Sequence, residues 1–294
     1  MSAADHQKRS GVAAKTAVVF THTKPPDTAE ALRAAIAVAR RNGCQLLMTD
    51  EEIGKHGEAA AGAKAVDALP DRPGLCLALG GDGTILRALR HYAGTDVPVF
   101  GINYGTIGFI AAAEAEELEE GLARAFNGEY EVIALPGLKA TVGETEVTAV
   151  NDVSFTRRPH HRVAELSYSL GGREVGHVRC DGLVAATPVG STGYNLANSG
   201  PILAWGVEGY VVSFIAPHTL TARALVVAPD DVLHVENVGE RDAVDIAQDG
   251  APIGELNPGE SIDVRFRNGV ACLAQLEGET FYSRIREKFG RLAY

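Results

Sequence analysis

The sequence predicts an α/β protein: an N-terminal open, mostly parallel α/β domain, a C-terminal all-β domain, and a C-terminal helix packing back on the first domain. Three observations carry this. Up to residue 128, short apolar runs alternate with stretches of helical spacing, the pattern of parallel strands with crossover helices. From Tyr130 to about Leu276, β-branched runs are separated by Gly, Asp and Asn turns, which reads as all-β. From Glu279 to Phe289 helical spacing returns, with Phe281, Ile285 and Phe289 on one side. The expected division is therefore a disordered tail over 1–14, the α/β domain over 15–128, the β-rich domain over 129–276 and the helical segment over 277–294.

Taken in order, Thr16–Phe20 reads as the first strand. Thr28–Arg41 reads as a helix, with Thr28 as its N-cap and Gly43 just past its end. Cys44–Met48 is the second strand, Ala59–Ala68 a short helix, Leu75–Leu79 the third strand and Val97–Gly101 the fourth. Glu114–Phe126 is an acidic amphipathic helix closed by Asn127-Gly128. The β-rich part contributes Glu146–Val150, Val163–Leu170, Glu174–Arg179, Leu183–Ala186, Tyr210–Phe214, Val232–Val235 and Ile262–Phe266.

Composition excludes several functions. The 294 residues carry a net charge of −11, which argues against a non-specific nucleic-acid binder but leaves anionic small ligands open. There is no apolar run of bilayer length, and the polar stretch Met1–Ala14 is no signal peptide. Cys44, Cys76, Cys180 and Cys272 are scattered with no C-x-x-C pair, as expected for reduced thiols in a cytoplasmic protein that binds neither membrane nor nucleic acid.

The most informative local pattern follows the third strand. Gly80-Gly81-Asp82-Gly83-Thr84 joins it to a helix over Thr84–Tyr92, an arrangement that aims backbone N–H groups and a helix N-terminus at an anion. Asp82 is the odd member. A carboxylate in a phosphate cradle has to cap the helix, hold a metal or take a proton. A second glycine-rich loop, Gly101–Phe109, follows the fourth strand with the spacing G-x-x-x-G-x-x-G. Neither loop fits the Walker or dinucleotide fingerprints.

Downstream, Asn151-Asp152 follows a strand and alone reads as a turn. The run Arg157–Arg162 reads as a solvated hairpin tip, and its adjacent histidines make a poor metal pair. From Arg179 to Pro201, a buried strand opens into a loop dense in hydroxyls and glycines. That loop can offer Ser191, Thr192 and backbone N–H groups to a polar ligand, with Tyr194 as a flat face.

Together these residues resemble the NAD kinase family (ATP-NAD and polyphosphate/ATP-NAD kinases). The resemblance is carried by Gly-Gly-Asp-Gly-Thr at 80–84, Gly-Ile-Asn-x-Gly-x-x-Gly-Phe at 101–109 and Asn-Asp at 151–152. Thr-Pro-x-Gly-Ser-Thr-x-Tyr at 187–194 with Gly200-Pro201 is its most specific element, followed by Pro217–Leu220 with Arg223, and Asp249-Gly250. The 80–84 motif alone is shared with diacylglycerol-type lipid kinases and phosphofructokinases.

The resemblance implies transfer of the terminal phosphoryl group of ATP or polyphosphate to the 2′-hydroxyl of the adenosine ribose of NAD, with Mg²⁺ or another divalent cation. It implies that Asp82 is the catalytic base, and that Gly80, Gly81, Gly83, Thr84 and Arg179 serve donor phosphates. NAD would be met by Asp82, Gly83, Phe109, Asn151, Asp152, Asp181, Thr192, Gly193, Tyr194, Ala197 and Asp249. Asp181 would act from a neighbouring subunit of a homodimer or homotetramer. No metal ligand is named by it. Two departures stand out: Asp152 where the family commonly has Glu, and Ala197 where a hydroxyl is usual. The rival readings are a diacylglycerol- or sphingoid-type lipid kinase and a non-catalytic NAD(H)-binding sensor on the same fold.

Overall fold

The computed structural model describes residues 9–104, 108–278 and 281–290 of the chain. Two units divide it: Met1–Ala134 together with Ala271–Tyr294, and Leu135–Val270.

In the first unit the elements are β1 (Arg9–Ser10), β2 (Thr16–Thr21), α1 (Ala29–Arg41), β3 (Gln45–Thr49), α2 (Asp50–His56), β4 (Lys64–Val66), β5 (Leu75–Leu79), α3 (Asp82–His91), β6 (Pro98–Asn103), β7 (Ala113–Glu114) and α4 (Leu118–Asn127). Five strands run parallel in the order β4-β3-β2-β5-β6. Every residue of β5 is buried, as expected of a central parallel strand covered on both faces. Leu32 and Ala35 of α1 and Leu122 and Phe126 of α4 share a core with Leu75, Leu77 and Leu79. α3 lies against β5 and β6. Because β2 has β3 on one side and β5 on the other, the chain leaves β2 and β5 in opposite directions. A crevice opens at such a switch point, beyond the carboxyl ends of the strands.

β8 (Glu131–Val142) leads into the second unit, followed by β9 (Thr145–Ala149), β10 (Asp152–Arg157), β11 (Ala164–Leu170), β12 (Arg173–Cys180), β13 (Gly182–Ala186), the single turn α5 (Tyr194–Ala197), β14 (Tyr210–Ile215), β15 (Leu225–Val227), β16 (Leu233–Asn237), β17 (Val244–Gln248), β18 (Ala251–Leu256) and β19 (Ser261–Gln275). Two antiparallel layers, β12-β11-β16-β19 and β15-β14-β13-β10-β17-β18, enclose one core. Leu166, Tyr168 and Val235 come from one layer and Phe155, Leu183, Val212 and Ile246 from the other. The end of β19 belongs to the first unit, where Cys272–Ala274 runs parallel beside Pro98–Phe100 of β6. α6 (Phe281–Phe289) completes that unit.

Several sequence expectations are corrected. The tail is not disordered over its last residues: Arg9 and Ser10 pair with Val132 and Glu131, and Gly11 N–H donates to Tyr130 O at 2.7 Å. Residues 1–8 lie outside the described residues. The helix expected at Ala59–Ala68 forms earlier, as α2. Thr49 caps it by accepting from Glu52 N, and Asp50, Glu51 and Glu52 put negative charge at its positive end. Residues 64–66 instead add the edge strand β4. Thr28 precedes α1 but makes no side-chain cap. Glu279, the expected start of the last helix, lies outside the described residues. Among the described residues all four cysteines are free thiols. No described helix is long and apolar enough to cross a membrane.

Candidate active site

The first unit presents the motif at its switch point. β5 ends at Leu79, in register with Thr21 at the end of β2. Gly80 adopts φ +154° and donates to Ile102 O at 3.0 Å, and a Cβ there would strike the Thr84 side chain. Gly81 starts α3, accepting from Thr84 N at 2.9 Å. Gly83 faces open space, so its lack of a side chain answers no packing demand inside the protein.

Asp82 is the first residue of α3, and its carboxylate does not cap the helix. Oδ2 accepts from Phe109 N at 2.8 Å and Oδ1 from Ile110 N at 3.3 Å, so the second glycine-rich loop is tied to the first through this one side chain. Gly108 makes the approach possible, since a Cβ there would collide with Oδ1. Residues 105–107 of that loop lie outside the described residues. The helix N-terminus adds positive potential at the carboxylate. Half-buried, oriented and next to free backbone donors, Asp82 can accept a proton from a hydroxyl brought to it.

Phe109, expected to meet NAD, is buried: its ring stacks on Phe289 at 5.9 Å with Lys288 Nζ 3.8 Å from its centroid. Two buried residues that the sequence reading missed hold this loop from behind. Arg284 donates to Phe109 O at 3.1 Å, and Gln275 donates to Ile110 O at 3.0 Å. The i, i+3 spacing of Phe281 and Arg284 was the available signal, masked by the assumption that an arginine faces water.

The second unit carries its own group of candidate residues. Asp249, at φ +48° before Gly250 at +75°, turns its carboxylate back on β10. It accepts from Val150 N at 3.1 Å, Asn151 N at 2.7 Å and Asp152 N at 3.2 Å. Asn151 O accepts from Thr187 N at 2.8 Å, and a Cβ on Gly190 would strike that carbonyl. Among the described residues Asn151 Oδ1 is buried without a partner, an acceptor open to a donor.

The hydroxyls of the 187–201 loop divide in two. Ser191 is fully buried and its Oγ serves Pro188 O and Leu203 N at 2.7 and 3.0 Å, which corrects its expected offer to a ligand. Thr192 Oγ1 donates to Val189 O at 3.2 Å and stays half-buried, while Gly193, Tyr194 and Ala197 are exposed.

Charge gathers here. Burial, then the charge of Asp249, pushes the Asp152 carboxyl up to about 7. Asp152 and Asp181 both act on Tyr194, whose hydroxyl is raised first by desolvation and then by them. Asp181 is gripped by Arg157 at 2.5 and 3.3 Å, which holds its carboxyl below the usual range. Arg179 pairs with Glu165 at 3.2 Å and lines a cavity of about 350 Å³ with Arg157, Arg162 and Arg241. Arg158 pairs with Asp245 at 2.7 Å and also with Glu255. The 157–162 run is thus a bracing hairpin. Among the described residues no three His, Cys, Asp or Glu side chains cluster as metal ligands.

Comparison with known proteins agrees with this picture. The family model described as the ATP-NAD kinase N-terminal domain matches residues 31–130, and that of the ATP-NAD kinase C-terminal domain matches 150–271. The chain is 33% identical over 237 residues to an NAD kinase of Lachnoclostridium phytofermentans, covering 76% of this chain and 83% of that one. It is likewise 33% identical over 252 residues to one from Acidovorax sp., covering 84% of each. Two solved structures share the fold. Yeast NADH kinase complexed with NADH has TM-score 0.82 and 21% identity, over 97% of this chain and 89% of that one. An NAD kinase from Archaeoglobus fulgidus in complex with ATP has TM-score 0.71 and 22% identity, over 94% and 98%.

Proposed function

The chain belongs to the NAD kinase family and is an enzyme that phosphorylates NAD; we propose that it moves the terminal phosphoryl group of ATP onto the 2′-hydroxyl of the adenosine ribose with Asp82 as the base. The bond from the terminal phosphorus to its bridging oxygen breaks, the bond from the 2′-oxygen to phosphorus forms, and the hydroxyl proton passes to the Asp82 carboxylate, with ADP leaving. Phosphoryl transfer depends mainly on alignment and charge stabilisation. Gly81, Gly83 and the α3 N-terminus supply backbone donors for phosphate, while Gly80, whose N–H is engaged by Ile102 O, and Thr84 brace that turn.

In the second unit, Asn151 and Asp152 meet NAD, the unpartnered Asn151 Oδ1 being an acceptor for a ligand N–H or hydroxyl. Thr192, Gly193, Tyr194 and Ala197 line the exposed side of the loop. Asp249 acts one step behind, shaping the β10 entrance. The same reading gives Asp181 to the neighbouring subunit of a homodimer or homotetramer in the cytoplasm and Arg179 to the donor phosphates, with Phe109 as backing for Asp82. A divalent cation fits as a companion of the donor's phosphates, because both Asp82 oxygens are engaged by N–H groups and Mg²⁺ leans on substrate phosphates and waters.

The observation that carries the reading is Asp82 held by two peptide N–H groups at the mouth of a glycine turn. The test is direct. Purified protein is incubated with NAD, Mg²⁺ and either ATP or polyphosphate, and NADP is assayed, with an NADH arm for acceptor choice. NADP formed with ATP supports the reading. NAD binding without NADP from either donor overturns it in favour of a sensor.

A further inference from the structure

Given Asp82 as the base, on which this inference rests, we propose that Arg284 and Gln275 are positioning residues that set the Asp82 carboxylate, Arg284 through the Phe109–Ile110 peptide and Gln275 by holding Arg284 and the loop just beyond that peptide. Arg284 is 6% exposed, and a buried guanidinium is costly unless fully engaged. Its two terminal nitrogens are used differently. Nη1 donates to Phe109 O at 3.1 Å, and Nη2 donates to Gln275 Oε1 at 2.6 Å. The Phe109 carbonyl and the Ile110 N–H are the two ends of one peptide, and that N–H points at Asp82 Oδ1, 3.3 Å away.

A continuous line therefore runs from guanidinium through one amide to the carboxylate. Hydrogen bonds in series polarise one another, and a cationic donor at the carbonyl end makes the N–H at the other end a stronger donor. Gln275 Nε2 holds the next two carbonyls, Ile110 O at 3.0 Å and Ala111 O at 3.4 Å, which anchors the loop immediately beyond the peptide whose N–H meets the carboxylate. Glu114 lies within electrostatic reach of Arg284 and is bonded by Asn103 at 2.7 Å, completing the charge balance behind the loop. Lys288 and Phe289, one turn further along α6, close on the Phe109 ring. The C-terminal segment thus fixes the base without touching it.

A double-mutant cycle on the full-length enzyme tests this, with kcat and KM for NAD and ATP as readouts. Arg284→Ala is expected to lower kcat at least tenfold with each KM within about twofold, and added guanidinium ion to restore part of the loss. In the Asp82→Asn background the same substitution is expected to change kcat by less than twofold, because its effect passes through the missing carboxylate. Equal losses in both backgrounds, or unchanged kcat in a folded Arg284→Ala enzyme, overturn the inference. Should Arg284→Ala not fold, Gln275→Met replaces it in the same cycle with the same criteria. Failure of the base reading is seen separately: Asp82→Asn alone then turns over normally.

Discussion

Asp82 was legible in the sequence as an anion in a place suited to anions, and three roles followed from its residue type alone. The structure removes one of them, since its carboxylate faces Phe109 and Ile110 rather than its own helix. Replacement by Asn keeps the volume but turns one acceptor into a donor facing an N–H. Asp82→Asn is therefore expected to lower kcat a hundredfold or more and stability by about 1–2 kcal/mol, read by steady-state kinetics and thermal melts, with NAD affinity by calorimetry within a few-fold. Asp152 is the opposite case. Nothing local marks it as buried beside Asp249, because the contact spans 97 residues and runs to backbone N–H groups, which leave no residue pattern. Its carboxyl is pushed up to about 7, against about 3.9 in an unfolded chain. The folded state therefore binds the proton more tightly. Its contribution to stability is greatest below about pH 4, falls as pH rises to about 7 and is level above. Asp152→Asn is expected to flatten the melting temperature over that window and raise it by several degrees at pH 8, while weakening NAD binding.

At the scale of elements, strands β2, β3, β5 and β6 were readable as apolar runs, because central parallel strands need nothing else. α2 was missed although its signal was present: Thr49-Asp50-Glu51-Glu52 has the form of a capping box, overlooked beside the alanine-rich run that follows. The two glycine loops were readable as turns, but not their engagement, which depends on Gly108 lying against Asp82. That engagement separates two glycines by role. Gly108→Ala is expected to cut kcat tenfold or more by displacing the carboxylate. Gly83→Ala meets only open space, so its melting temperature should hold within about 2 °C, a helical Ala being favoured over Gly by about 0.5–1 kcal/mol. Its KM for ATP is expected to rise at least fivefold, because the added methyl occupies the approach of phosphate.

For the whole molecule, the change from helical to β-branched spacing announced two kinds of architecture in one chain. The return of the C-terminal helix to the first domain was expected from spacing; what spacing could not supply was that the end of β19 also joins the first unit, beside β6. Short-range pattern carries no information on which earlier strand a later one will join. Ligand linkage acts at this scale. Saturating NAD at a hundredfold over its dissociation constant stabilises the folded protein by about 2.7 kcal/mol. A rise of roughly 5–10 °C in the melting midpoint follows for a chain of this size, read by scanning calorimetry with and without NAD.

The route of β19 also has a consequence in time. A ribosome delivers the Gly80–Thr84 turn early, but the strand that borders β6 and the arginine behind Asp82 emerge only after the whole of Leu135–Val270. At about 5–20 residues per second that interval lasts roughly 7–27 s. During it, Pro98–Phe100 of β6 lacks its β19 neighbour and Phe109 O lacks the Arg284 donor. A chain that stops before Ala271 is therefore expected to carry the 80–84 motif without Gln275 and Arg284 behind the loop that meets Asp82.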